Sequence, residues 1–243
     1  VLSVEGLHVS FGSVRAVDGV DFEVDAGTVV AIVGRNGAGK SSLLSAVSGL
    51  LARRGEVRID GAAVPARRPD LAVRAGLAHV PEGRRVFVDL TVAENMRVAG
   101  VASGTPKRRR EEIEARCLEL FPVLGPRLGA LGWSLSGGEQ QALAVARAMM
   151  MDPKVILMDE PTLGLAPKYH RALIAAARML AGEGTAVVIV EQNARFALAA
   201  SDRVWVLHQG RWAVRDASPK EVSVESIGDT MLARPSSPSK VAG

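Results

Sequence analysis

The 243 residues include one cysteine, Cys117, set at an apolar position of a helical pattern. A lone thiol can form no internal disulfide and no thiolate metal cluster, so a disulfide-stapled scaffold is excluded and a reducing, cytosolic setting is expected. No apolar run approaches the roughly 20 residues needed to cross a bilayer, and the first residues lack the charged, then apolar, then small pattern of an export signal. The chain is therefore expected not to insert itself in a membrane. A strong charge imbalance is also missing. The formal net charge of +4, with acids and bases interspersed, is too mild to demand nucleic acid as a partner, although it would suit phosphates or an anionic leaflet. What the chain has is apolar mass: 48% of its residues are hydrophobic, enough to fill the core of one large domain or of one domain with a smaller lobe.

Leu2 to Phe11 alternates loosely, and Val14 to Val24 resumes after Gly12-Ser13; both predict antiparallel strands. Asp25-Ala26-Gly27 then turns the chain into a β-branched run, Thr28 to Val33, of the kind found in a buried strand. The amphipathic run that follows, from Ser41, places Leu43, Leu44, Val47, Leu50 and Leu51 on one helical face, with an end expected near Arg53-Arg54-Gly55, where cations suit a helix C-terminus. Glu56–Asp60 with Gly61 predicts a short hairpin, and Leu71–Val80 a short helix entering a buried strand, Gly76–Val80.

From Thr91 the pattern becomes helical. Thr91-Val92-Ala93-Glu94 is a capping box, and Ile113, Cys117, Leu120, Phe121 and Leu124 recur at helical spacing. Lys107–Arg110 with Glu111, Glu112 and Glu114 reads as a solvated helix start. Ser136-Gly137-Gly138-Glu139 is a second capping box, opening a helix through Met150. Val155–Met158 is a strand, Pro167–Leu180 a helix, Thr185–Val190 a strand, and Arg203–Leu207 with Arg211–Asp216 a pair around Gln209-Gly210. Ser218-Pro219-Lys220-Glu221 is expected to cap a last helix, and residues 233–243 to form a flexible tail. The alternation predicts an α/β domain over residues 1–232, with a mostly parallel sheet, an antiparallel β edge and a helical subdomain at about 91–150.

Between the strand Thr28–Val33 and the helix stands Gly34-Arg35-Asn36-Gly37-Ala38-Gly39-Lys40-Ser41-Ser42. Three glycines let the backbone curl until its N–H groups point at a phosphate chain, and the helix that follows aims its positive dipole end at the same place. In that pattern Lys40 reaches the β- and γ-phosphates, the Ser41 hydroxyl binds Mg²⁺, and Ser42 caps the loop from behind. Asp159 at the end of an apolar strand can hold the same Mg²⁺ through water, and Glu160 beside it is placed to polarise the water that attacks the γ-phosphate. A third stretch, Leu135-Ser136-Gly137-Gly138-Glu139-Gln140-Gln141, is a helix start with two glycines and a serine hydroxyl, which makes a second anion-binding surface.

Leu135–Gln141 resembles the signature motif of ABC-type ATPase subunits, and the Gly34–Ser42 loop, this motif and Val155–Glu160 follow one another along the chain in that family's order, a resemblance over about residues 1 to 232. The resemblance implies the P-loop ABC ATPase fold, ATP and Mg²⁺ as cofactors, and a second ATPase subunit. ATP would lie between the loop of one subunit and Ser136-Gly137-Gly138-Glu139 of its partner. It also implies that Phe11 stacks on adenine, that Val17 flanks the base, that Glu82 stands where most members have a metal-contacting glutamine, and that Gln192 replaces a histidine contacting the γ-phosphate. Ala166 replaces an aspartate of the loop after Glu160.

Three runs, Val80–Phe87, Leu163–Pro167 and Val190–Arg195, look like the LivF-type subunits of branched-chain amino-acid importers. That likeness implies a LivG-like partner or a second copy, two membrane permeases, an extracytoplasmic solute-binding protein reached indirectly, and a peripheral place on the cytoplasmic face of the plasma membrane. ATPases of urea and short-chain-amide importers are very similar. Soluble ABC ATPases are a further alternative, although the long coiled coils of the repair type and the doubled halves of the translation type are missing.

Overall fold

The computed structural model describes residues 1–232, so the expected tail at 233–243 lies outside the described residues. Two sheets organise the chain. The first strands, β1 (Leu2–Phe11) and β2 (Val14–Val24), pair antiparallel, and β1 also pairs with β4 (Arg54–Ile59), which turns back into β5 (Ala62–Ala63). This four-stranded antiparallel sheet, ordered β2-β1-β4-β5, is separate from the main sheet, where the sequence predicted only an antiparallel edge.

The main sheet is built on β3 (Val29–Val33), five consecutive buried residues. A strand apolar at every position can sit only where both faces are covered, which is why it lies inside a parallel sheet. Its neighbours are β8 (Ala186–Glu191) and β9 (Arg203–His208); β7 (Val155–Asp159) and β6 (Leu77–Val80) continue beyond β8. The one antiparallel strand, β10 (Arg211–Ala217), forms the edge beside β9.

Each face of this sheet has its own core. On one side the antiparallel sheet and α1 (Lys40–Val47) close over Val30, Ile32, Leu157 and Val188, with Phe22 edge-on to the fully buried Trp205 at 5.3 Å. On the other side lie α3 (Val92–Ala102), α4 (Lys107–Leu120), α5 (Gly137–Met149) and α6 (Lys168–Gly182), with Met96, Ile113, Cys117, Leu143 and Met149 in the shared interior. Burial there pushes the Cys117 thiol up to about 12, so it is an apolar filler and no nucleophile. The short helices α2 (Pro69–Arg74) and α7 (Ala194–Ala200) and the terminal α8 (Val224–Leu232) complete the chain.

Both capping boxes form as the sequence predicts, Thr91 with Glu94 and Ser136 with Glu139. Two helix limits differ. The first helix stops at Val47, well before Arg53, because Gly49 adopts φ 74 and turns the chain away; Arg54 already belongs to β4. The last helix starts after Ser223, whose Oγ accepts from Ser226 N at 3.0 Å, and not after Ser218. Ser218 and Glu221 close only a turn on themselves.

Candidate nucleotide site

The carboxyl ends of β3 and β7 and the loop after β8 meet at one cavity of about 330 Å³. Its lining contains Asn36, Gly37, Gly39, Lys40, Ser41 and Ser42 from the glycine loop, with Glu82, Glu160, Leu163 and Gln192 from three other segments. Residues far apart in the chain and predicted separately to handle phosphate are thereby brought together. Clefts outside the carboxyl ends of parallel strands are the usual binding sites of such sheets.

The loop keeps its shape at Gly39, whose φ of 104 is unfavourable for any other residue and whose place leaves no room for a side chain: an added Cβ would stand 2.1 Å from the carbonyl oxygen of Ala16. Gly34 and Ala38 are buried beneath the loop, and Arg35 and Asn36 are exposed on it. The Lys40 ammonium is 4% exposed. It donates to the carbonyls of Gly34 (2.9 Å) and Arg35 (3.2 Å) and pairs with Glu160 Oε1 at 3.1 Å. All three of its N–H groups are thus engaged within the loop and its acidic neighbour, and a phosphate must take over some of these contacts.

The expected metal residues also converge. Ser41 Oγ donates to Asp159 Oδ1 at 3.1 Å. Burial pushes the Asp159 carboxyl up to about 6; the Ser41 hydrogen bond and Lys40 oppose this, while the charges of Glu160 and Glu82 add to it. Three carboxyl groups share one lysine, so the site carries an excess of negative oxygen. That donor set fits a hard divalent cation such as Mg²⁺. No ready-made cage of three or more acidic, histidine or cysteine side chains occurs among the described residues. Mg²⁺ characteristically needs few protein ligands, taking the rest from water and substrate phosphates.

Glu160 has φ 45, a left-handed conformation that costs a non-glycine residue about 1–2 kcal/mol. Its N–H donates to Val190 O at 2.9 Å, which holds this turn against β8 and keeps the carboxylate on the cavity. Strain of this kind persists where surrounding structure enforces it, and it collects at functional sites.

Ser136, Gly137 and Gly138 are not among the residues lining that cavity. Ser136 is exposed at the start of α5, and the Arg84 guanidinium and the Tyr169 ring lie against Gly137 and Gly138 in space that a side chain would need. The helix start at Ser136 therefore lies outside this cavity, with Ser136 on the surface. Glu139, expected with the nucleotide contacts, is instead occupied locally: its carboxylate accepts from Ser136 N at 2.7 Å and faces Arg127 at 3.8 Å. An anion so placed caps the helix.

Phe11 is 53% exposed near the hairpin between β1 and β2, free to stack on a ring. Val17, expected to flank the base, does not reach the surface in this structure. It is fully buried in the core beneath the antiparallel sheet, and the half-exposed neighbour is Ala16. Sequence reasoning also passed over Glu191, a buried carboxylate whose hydrogen bonds join two loops of the site; only the strand-end position of Glu191, beside Gln192, pointed to it.

The family model described as ABC transporter matches residues 17–163. The chain is 39% identical over 233 residues to the high-affinity branched-chain amino acid transport ATP-binding protein BraG of Pseudomonas aeruginosa, covering 96% of this chain and 99% of that protein. It is 33% identical to the xylose/arabinose import ATP-binding protein XylG of Sulfolobus acidocaldarius, covering 95% and 93%. Among solved structures, an ATP-binding subunit of an ABC transporter superposes with a TM-score of 0.86 at 26% identity, covering 96% of this chain and 99% of that one.

Proposed function

Given that this chain belongs to the ABC transporter ATP-binding family and is one of its ATPases, we propose that it powers the import of branched-chain amino acids through partner permeases. The observation that carries the ATPase part of this reading is the cavity where Lys40, Ser41, Glu160, Glu82 and Gln192 meet. The solute rests on the relative at 39% identity.

Cassettes of this family dimerise and work with permeases. In this reading the partner is a LivG-like paralogue or a second copy, whose glycine loop faces Ser136, Gly137 and Gly138 here. Lys40 leaves the carbonyls of Gly34 and Arg35 to meet the β- and γ-phosphates, which frees Glu160. Glu160 then accepts the proton of the attacking water, and the Gln192 amide donates to the γ-phosphate. Ser41 and Asp159, with Glu82 nearby, would hold Mg²⁺, which when bound neutralises the charge that builds on the phosphates. Phe11 stacks on the adenine.

A second cleft, of about 230 Å³, is lined by His79, Arg84, Arg85 and Arg147 with apolar Val80, Ala144 and Met151. Phe87 lies under the Arg147 guanidinium at 4.2 Å, and Val88 and Trp133 are exposed nearby. A basic cleft with an apolar rim suits a short permease helix that carries an acidic side chain. No described helix is long and apolar enough to cross a membrane. In this reading the chain sits on the cytoplasmic face beside such permeases.

Uptake of labelled leucine by a strain lacking the gene tests the solute: uptake should fall and return on complementation. The sugar-import relative motivates the alternative, so labelled xylose is the control. Loss of xylose uptake with leucine uptake intact would replace this reading.

A further inference from the structure

Glu191 ends β8 and is 2% exposed, and among the described residues it has no ion-pair partner. Backbone and hydroxyl donors compensate its charge. Oε1 accepts from Thr162 N (3.0 Å) and Thr162 Oγ1 (2.7 Å), and Oε2 accepts from Gln192 N (3.2 Å) and Asn193 N (3.3 Å). Burial pushes its carboxyl above the usual range, and the Thr162 and Asn193 hydrogen bonds counter this.

The two sets of donors belong to different segments. Thr162 lies in the turn that begins at Glu160, and Leu163 N closes that turn on Glu160 O at 3.0 Å. Gln192 and Asn193 form the loop between β8 and α7, and Asn193 Oδ1 caps that helix through Phe196 N at 3.2 Å. One carboxylate thus holds the segment of the proton acceptor with one oxygen and the segment of the γ-phosphate donor with the other. An apolar residue would leave these N–H groups without their acceptor, and a neutral amide could serve only one side, since its NH₂ group would face donors on the other.

We propose that Glu191 is a positioning residue for ATP hydrolysis, fixing Glu160 and Gln192 at one separation so that both close on the terminal phosphate together. This rests on the roles given above to Glu160 and Gln192. Glu191 is buried and does not line the nucleotide cavity, so its removal should act on turnover and spare binding.

The test compares Glu191→Gln, Gln192→Ala, the double variant and Glu160→Gln by steady-state ATPase rate and by equilibrium ATP binding. A misplacement of about 1 Å in a reacting group costs about 100-fold. Glu191→Gln should therefore lower kcat about 10- to 100-fold while KM and ATP affinity stay within about 3-fold. The double variant should be no slower than Glu191→Gln alone, because the amide it deletes is already out of place. Should Glu191→Gln fail to fold, Thr162→Val, which deletes only the hydroxyl donor to Oε1, carries the test, with a kcat loss of about 3- to 10-fold and unchanged KM. Independent, multiplying losses in the double variant, or a matching loss of ATP binding, would overturn the proposal. Unchanged turnover in both Glu160→Gln and Gln192→Ala would instead overturn the site reading beneath it.

Discussion

Replacing Gly39 by alanine should damage the protein in two separable ways, and Gly37 offers the control. Both glycines have positive φ, 80 at Gly37 and 104 at Gly39, so alanine at either pays the left-handed penalty of about 1–2 kcal/mol. The surroundings differ. Nothing lies within 4 Å of a Cβ at Gly37, whereas at Gly39 it would stand 2.1 Å from Ala16 O. That carbonyl cannot easily retreat, because Val17 next to it is fully buried and the Gly210 backbone also packs against Ala16. Overpacking of this kind costs about 1–3 kcal/mol. Gly39→Ala should therefore be less stable than Gly37→Ala by about 1–3 kcal/mol in equilibrium urea unfolding without nucleotide. Since Gly39 is also the N-cap of α1 and precedes Lys40, its displacement should weaken ATP binding at least tenfold. Losses equal to within about 0.5 kcal/mol would show that Ala16 yields freely and that the contact does not fix the loop.

Other expectations follow from the same cavity. Glu160→Gln should lower turnover about 100- to 1000-fold and accumulate an ATP-bound dimer on size exclusion; turnover at the original rate would remove Glu160 from its role. Lys40→Ala deletes charge-assisted hydrogen bonds worth about 1.5–3 kcal/mol, so ATP affinity should fall about 10- to 150-fold in a calorimetric titration; unchanged affinity would count against the cradle. Asp159 titrates near 6 in the fold against 3.8 when unfolded. Between these values the folded form binds more protons, so this group's contribution is full below pH 4 and is lost as pH rises through 6. Asp159→Asn should thus stabilise the nucleotide-free protein by up to about 3 kcal/mol at pH 8 and hardly at pH 4, while abolishing Mg²⁺-dependent turnover. A gain equal at both pH values would refute the burial argument.

The glycine loop, Asp159-Glu160 and the Ser136 capping box were legible because each is a local pattern whose chemistry follows from adjacent residues. Long-range effects were not legible. The end of α1 was misplaced because Arg53 and Arg54 look like helix-terminal cations, while the turn is made earlier at Gly49. The burial of Val17 goes with a slip in the pairing of β1 with β2 between Leu7–Val20 and His8–Asp18, with Gly19 at φ 68. The slip changes which alternate residues face inward, so a period-two reading fails across it. The last helix was expected after Ser218, whereas Ser223 leads into the segment that buries Ile227. Beyond its place at a strand end beside Gln192, Glu191 gives no local sign of its role, since Thr162 is 29 residues away.

The meeting of Ala16, Gly39 and Gly210 also sets a length. The hairpin carrying Phe11 belongs to one sheet and the lysine loop to the other, and Gly210 ties them by donating to Ala38 O and accepting from Asp18 N, both at 2.9 Å. With Phe11 on the adenine as proposed, the span from purine ring to phosphate would be gauged by these main-chain contacts and by the Arg211–Asp18 ion pair beside them. In that reading a purine nucleotide would have to match the span as it stands, and drift of the antiparallel sheet would show as a mismatch along the ligand.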